Sequence, residues 1–582
     1  MVWRHSKRIF WSTLLGAAYR SRRLGFAPTD FHLIVRRATV YDGSGREPYV
    51  ADIGVQDDRI VAIGDLASCS ARRCLDADGL ALAPGFINTL SWASESLLAD
   101  PTAASDVLQG VTLEVFGEGV SMGPLTADMR RDLERRLQPQ QIDVDWNTLG
   151  EYLERLERRG VVPNVASLVG ATTVRINVLG HGHRVATDTE VAAMCELVRD
   201  AMREGALGVG SALIYSPASS AGPPELLALA RAAAEFGGAY YSHVRSETAG
   251  LTAAVDEVIE IARVTGQHAE IYHLKAAGSD NWQRLEAVIA RIEAAQQRGV
   301  KIGANMYPYT SAATGLDAAM PPWVQDGGAD AWFARLADRA NRPRLLAEIA
   351  AAGDGWENLY HAAGGASRVT LLGLISPRLQ RYNGQTLEHV ARQRDASPEA
   401  TIIDLVLEDR SRVTSAFELM SAANVERQLQ LPWVSLCSDA ETLSQRDQRG
   451  NYRTHPRACG SFARFLGHYV RERRVVTLAA AIRRLTSLPA ERFKLHDRGR
   501  IALGCYADLV LFDPQAIQDH ATLEQPRRFA TGVVSVIVNG QLVLHDGSFT
   551  GVRPGRFVRG PGHDRLALAP RGIAAMLPRA AG

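Results

Sequence analysis

Net charge is nearly absent from this chain: 65 Lys and Arg stand against 64 Asp and Glu, leaving +1 over 582 residues. That balance gives no electrostatic reason to expect nucleic acid or a membrane surface as a partner. The six cysteines (Cys69, Cys74, Cys195, Cys437, Cys459, Cys505) never fall into C-x-x-C spacing. Neither a zinc knuckle nor a disulfide framework is therefore indicated, and a reducing, cytoplasmic compartment is the expectation. Long apolar runs are missing too, since a bilayer span needs roughly 20 such residues. The apolar piece Ile9–Ala18 lies in a basic leader without acidic residues, but it is too short to span. Residues 1–30 therefore read as a disordered extension or a weak targeting segment. No internal repeat or low-complexity tract occurs. What is present is an ordinary globular composition, 46% hydrophobic and 22% charged, in a chain too long for one small domain.

Two short stretches organise the rest. Ala239–Val244 and Glu270–Leu274 are β-branched and aromatic runs ending around His243 and His273, separated by a helix-like segment. Strand, helix, strand is the βαβ unit of a parallel sheet, and the C-terminal ends of such strands open onto the functional face. Either histidine alone reads as a hydrogen-bonded core residue. Two at equivalent strand ends point at one place, and histidine is the commonest side-chain ligand for zinc.

In chain order, residues 31–80 and 491–560 are both β-rich, with Gly and Asp breaks, and read as two parts of one small β-sandwich domain. Between them lie eight apolar runs: Leu80–Leu90, Val111–Phe116, Val165–Val169, Leu207–Tyr215, Ala239–Val244, Glu270–Leu274, Lys301–Tyr309 and Trp433–Cys437. Helical patterns separate most of them, which predicts an α/β fold with a (β/α)8 TIM-like barrel over residues 81–490. The gap between runs seven and eight predicts a subdomain inserted over residues 317–430 and covering the barrel mouth. Residues 561–582 form a tail.

On such a barrel Glu118, His243, His273 and Asp439 all fall at the C-terminal face. Three N/O ligands with an open fourth position make a catalytic zinc set, and a remaining carboxylate can move a proton. Zinc lowers the pKa of its water to about 7. Glu114, on the same run as Glu118, is the weaker candidate because it sits deeper in the strand. His181-Gly182-His183 is a genuine His-x-His, but it follows run three in what reads as a loop. His455 either supports the site from behind or faces the substrate.

Several motifs resemble the amidohydrolase superfamily and, within it, the D-aminoacylase (N-acyl-D-amino-acid deacylase) branch. They include Ala83-Pro84-Gly85-Phe86-Ile87, Gly110-Val111-Thr112, Ser242-His243-Val244-Arg245-Ser246-Glu247 and Tyr272-His273-Leu274-Lys275. Cys437-Ser438-Asp439-Ala440, Thr454-His455-Pro456-Arg457 and Asp497-Arg498-Gly499-Arg500-Ile501 also fit, so the resemblance runs from about Phe31 to Gly560. Two departures matter. The superfamily's His-x-His at the end of the first strand is replaced by Leu90 and Trp92, and Glu118 stands at or next to the place of the branch's cysteine ligand. The resemblance thus implies one zinc per chain held by Glu118, His243 and His273, with Asp439 as general base; manganese or cobalt would suit the same donors.

The implied substrate is a small-molecule N-acyl-D-amino acid, whose amide bond is hydrolysed. Its carboxylate calls for a cation, for which Lys275 and Arg457 are the candidates; structural ion pairing is the competing account of both. Tyr307 either orients a carbonyl oxygen or is a core tyrosine. Alternatives are another cyclic or linear C–N amidohydrolase, and a barrel that has lost catalysis and serves as an interaction protein. A homo-oligomer is left open.

Overall fold

The computed structural model describes residues 31–445 and 453–563; the expected extension over 1–30 and most of the 561–582 tail lie outside them. Both ends of the described chain enter one nine-stranded sheet. Its order is Ser548–Phe549, Gln541–His545, Val533–Val538, Leu509–Phe512, Ala81–Pro84, Phe31–Val40, Tyr49–Gln56 and Arg59–Gly64, with Ala71–Asp76 also pairing Phe31–Val40. The two ends meet where Leu509–Phe512 runs antiparallel to Ala81–Pro84. Leu33, Val35, Ile53, Leu82, Leu509 and Ile537 share one buried cluster, so strands from opposite ends of the sequence depend on each other.

Eight parallel strands follow: Phe86–Asn88, Val111–Phe116, Asn164–Ser167 continued by Val169–Gly170, Gly208–Ala212, Ala239–His243, Ala269–Ile271, Ile302–Met306 and Val434–Leu436. Parallel ladders join each to the next. A parallel bridge between Ser91 and Ala440 links the first to the eighth, so the order returns on itself in a TIM-barrel-like α/β fold. The strands are buried throughout, as a parallel layer covered by helices requires. Leu251–Thr265 is the crossover between the two histidine strands. It buries Val255, Val258, Ile261 and Ala262 at helical spacing and stops at Gly266, whose left-handed φ of 66° suits glycine.

The first barrel run differs from the sequence reading. The run Leu80–Leu90, expected as one barrel strand, is divided at Gly85, with Ala81–Pro84 in the terminal sheet and Phe86–Asn88 in the barrel. A Cβ at Gly85 would stand 2.1 Å from Thr112 Oγ1, so glycine lets the chain cross between the two layers. His181–His183, expected in a loop, follow the helix Ala171–Leu179 in a turn.

Between the seventh and eighth barrel strands, Ser311–Gly315, Val369–Gly373 and Thr414–Glu418 form an antiparallel sheet with Thr414–Glu418 in the middle. This segment has an apolar cluster of its own, including Leu316, Trp332, Leu371, Ile402 and Phe417. Its sheet begins at Ser311, before the expected position 317, because the chain pairs with Thr414–Glu418 almost as soon as it leaves the barrel. All six cysteines are free. Among the described residues no helix is long and apolar enough to cross a membrane.

Candidate metal centre

Glu118 stands between Gly117 (φ +103°) and Gly119 (φ +70°), both in left-handed backbone. A Cβ at Gly117 would meet Leu168 O at 2.3 Å, so the turn off the second strand demands glycine there. This turn sets the Glu118 carboxylate against the ends of the fifth and sixth strands. His243 Nδ1 lies 2.9 Å and His273 Nε2 3.1 Å from the same oxygen, Glu118 Oε1. The two imidazoles stand edge to face, 4.3 Å between centroids. One donor atom from each of the three residues falls within 4.8 Å of the others. Burial alone would raise the Glu118 carboxyl, but the bonds from His243 and His273 outweigh it and hold the group well below the usual carboxylate range. Burial and Lys275 push His273 down; Asp439, Glu247 and Glu118 prevail and lift it to about 9.

Behind the histidines lies a buried pair that sequence reasoning assigned only in part. Lys275 Nζ is 2.6 Å from Glu247 Oε1 and 2.6 Å from His273 Nδ1. Glu247 Oε1 is 3.1 Å from His273 Nδ1 and 3.6 Å from His243 Nε2. Burial opposes ionisation of Glu247, yet Lys275 and the two histidines hold its pKa below the ordinary value. Lys275 therefore reaches the site, and its ammonium is already opposed by Glu247.

Asp439 closes the eighth strand with φ 51°, a strained conformation for a non-glycine residue. Its N–H donates to Leu90 O at 3.0 Å, which ties it to the end of the first strand. Asp439 Oδ2 lies 2.6 Å from Arg457 Nη1, and burial, against Arg457 and His273, raises its pKa. The Arg457 guanidinium, 1% exposed, packs 4.6 Å over the Tyr307 ring and 5.1 Å over Trp92. The indole of Trp92 donates from Nε1 to Glu118 Oε2 at 2.8 Å. Tyr307 is buried, and its hydroxyl has no hydrogen-bond partner in the protein.

His455 is satisfied on both nitrogens: Nδ1 accepts from Arg457 N (3.0 Å) and Nε2 pairs with Ser311 Oγ (2.7 Å). Burial and Arg457 push its pKa well down, so it stays neutral and braces Arg457 from behind. Glu114 is buried and accepts from Asn88 Nδ2 at 2.9 Å; its partners do not include either histidine. His183 instead meets Asp326 through its N–H (2.7 Å) and Ser219 through Nε2 (3.2 Å), outside the three-residue group.

Four further residues were given no role from the sequence. Tyr215 sets its ring edge-on to His243 at 5.4 Å, and Asn305 Oδ1 accepts from His273 N at 2.6 Å. Both end or approach the end of barrel runs, so the rule that found the histidines could have found them. Arg412, gripped by Asp317 through Nε (2.9 Å), lies 5.0 Å over Tyr215. Glu357 Oε1 accepts from Glu247 N and Thr248 N, both at 2.9 Å. These two come from the inserted segment, where no strand-end rule applies. A cavity of about 1720 Å³ opens beside Arg245, Ser246 and Glu357; neither histidine nor Asp439 lines it, so the metal group is not on its wall.

A profile of the amidohydrolase family matches residues 73–544. A D-aminoacylase from Alcaligenes xylosoxydans xylosoxydans is 31% identical over 527 residues, 90% of this chain and 97% of that protein. The crystal structure of a D-aminoacylase described as defining a novel subset of amidohydrolases superposes with a TM-score of 0.75 at 31% identity, covering 90% of this chain and 99% of the other. An N-acyl-D-glutamate deacylase from Bordetella bronchiseptica, solved with zinc and a phosphonate mimic of the tetrahedral intermediate, gives a TM-score of 0.75 at 28% identity over 91% of this chain and 100% of its own. With the TIM-barrel-like fold and the Glu–His–His group already in place, these matches show that the chain belongs to the amidohydrolase family.

Proposed function

We propose that this chain is a zinc-dependent hydrolase of N-acyl-D-amino acids, with Glu118, His243 and His273 holding one metal and Asp439 as general base. One observation carries the reading. Two histidines converge on one carboxylate oxygen, and buried His243 Nε2, Asp439 Oδ1 and the Tyr307 hydroxyl have no hydrogen-bond partner in the protein. Buried polar atoms are normally satisfied, so such a group of orphans marks a place built for something else. The donors fit a metal: ligands 2.0–2.2 Å from a tetrahedral zinc stand about 3.4 Å apart, and here the two separations from Glu118 Oε1 are 2.9 and 3.1 Å, with all three donors within 4.8 Å of one another. Zinc bound there supplies Lewis acidity, polarising the acyl carbonyl and acidifying water.

The protein's own groups do the rest. Asp439 Oδ1 takes a proton from the attacking water as its oxygen bonds to the acyl carbon. When the C–N bond breaks, that proton passes from Asp439 to the leaving nitrogen, giving a carboxylic acid and a free amino acid. The unpartnered Tyr307 hydroxyl donates to the carbonyl oxygen. Lys275 and Arg457 attract the substrate carboxylate while keeping their hold on Glu247 and Asp439. The D configuration is supported by the likeness to D-aminoacylase and N-acyl-D-glutamate deacylase.

The same reading makes residues 31–80 and 491–560 one small β-sandwich domain, 81–490 the (β/α)8 barrel with its inserted segment, and the cytoplasm the compartment. Support comes from the antiparallel joint of Ala81–Pro84 with Leu509–Phe512 and from six free cysteines. The test is a panel of N-acetyl-D- and N-acetyl-L-amino acids given to zinc-loaded protein. Release of free amino acid from D substrates alone is expected; hydrolysis of cyclic amides instead, or no hydrolysis, would overturn the assignment.

A further inference from the structure

We propose that Trp92 and Arg457 occupy the place of a second metal ion and thereby fix the centre at one. The inference rests on the reading of Glu118, His243 and His273 as ligands, and it goes beyond that reading in saying what enforces the count. Loss of His-x-His removes ligands; by itself it leaves an acidic corner, bounded by Glu118 Oε2 and Asp439 Oδ2, that would still attract a cation. The structure fills that corner with side-chain donors.

Glu118 divides its oxygens. Oε1 faces the two histidines, and Oε2 takes the indole N–H of Trp92 at 2.8 Å. Asp439 Oδ2 takes the guanidinium of Arg457 at 2.6 Å. The guanidinium is held over Trp92 and Tyr307, 5.1 and 4.6 Å from the ring centroids, so the two replacing side chains also hold each other. Leu90, at the other former histidine place, is fully buried and offers no donor. An ion entering here would have to strip Glu118 Oε2 of its indole N–H, part Asp439 Oδ2 from its ion pair and sit beside an arginine that stays charged. Arg457 thus compensates the negative charge permanently, and Trp92 fixes the carboxylate rotamer so that Oε1 is presented to one metal. Toward the metal both act as positioning residues, while Arg457 also presents its charge to the substrate carboxylate. If Trp92 were only packing, phenylalanine would replace it without cost to the metal. The Trp92 side chain is 36% exposed, so that substitution is one the fold tolerates.

The experiment measures zinc per chain and zinc affinity by competition with a chromophoric chelator, on full-length protein stripped and reloaded in excess zinc. Wild type is expected to saturate at one zinc. Trp92→Phe should still take one, about 10–100-fold more weakly, as loss of a group orienting a ligand does, with an unchanged metal-free Tm. The triple variant Leu90→His/Trp92→His/Arg457→Met should take two. Two zinc ions in wild type, unchanged affinity in Trp92→Phe, or a single zinc in a folded triple variant would each overturn the proposal. No zinc in wild type would instead remove the underlying ligand assignment, a distinct outcome. Should the triple variant fail to fold, wild-type stoichiometry and the Trp92→Phe affinity decide.

Discussion

Glu247 Oε1 lies 2.6 Å from Lys275 Nζ and 3.1 Å from His273 Nδ1, so one buried carboxylate opposes the site's lysine and orients its histidine. Removing it strands a buried ammonium. Glu247→Ala should destabilise the protein by about 3–5 kcal/mol, the usual cost of breaking a buried pair from one side. It should also weaken zinc binding by about 10–100-fold. Adding Lys275→Met should recover much of the stability and none of the zinc affinity. Denaturant unfolding and chelator competition check the two effects separately, and a stable Glu247→Ala with normal zinc affinity would contradict the arrangement.

Glu357 reaches from the inserted segment to the backbone of Glu247 and Thr248, so the segment holds the loop that carries Glu247. Glu357→Ala should let that loop shift and lower kcat/KM by roughly 10–100-fold, as small misplacements of catalytic geometry do. Steady-state kinetics on an N-acyl-D-amino acid would show it; unchanged constants would mean that the segment does not position the site.

Glu114 gives a pH signature away from the ligands. Burial raises its pKa from 4.5 to about 7, against hydrogen bonds from Ser91 and Asn88. The unfolded chain ionises this group near 4.5 and the folded chain only near 7. Between those values the folded state holds the extra proton, and stability falls as pH rises; above 7 the cost is complete. Glu114→Gln should therefore stabilise the protein at pH 8 by on the order of 1–3 kcal/mol, with the difference vanishing below about pH 4.5. A difference independent of pH would refute the assignment.

A buried polar network crosses the joint between terminal sheet and barrel, beside the apolar contacts of Val510, Phe512 and Val536. Asp508 pairs with Arg498 and accepts from Asn539 N at 2.8 Å, while Asn539 Nδ2 reaches Asn164 Oδ1 on the third barrel strand at 2.8 Å. All four residues are buried. Asp508→Ala should cost about 3–5 kcal/mol by leaving the buried Arg498 charge without its carboxylate, measured by denaturant unfolding. A loss below 1 kcal/mol would show that the sheet does not depend on this network.

Much of this architecture was legible because parallel barrels write themselves as alternating apolar runs and helical periods. The strand-end rule pointed to His243, His273 and Asp439, and the Gly117-Glu118-Gly119 turn sets the Glu118 carboxylate against the two histidines. The rule fails where geometry is not strand-bound. Arg412 and Glu357 approach from an inserted sheet with its own core, and no periodicity in the barrel points to them. The split of Leu80–Leu90 at Gly85 was hidden because both halves are apolar and differ only in which layer they join. Trp92 reads as a lost ligand in sequence; its indole bond to Glu118 appears only in three dimensions.

The most direct test is zinc content per chain beside a His243→Ala control, with hydrolysis of an N-acetyl-D-amino acid followed on the same samples. The account predicts about one zinc per wild-type chain with activity that tracks it, and neither in the variant. Wild-type protein that takes up no zinc after reloading, or a His243→Ala variant that hydrolyses without metal, would contradict it.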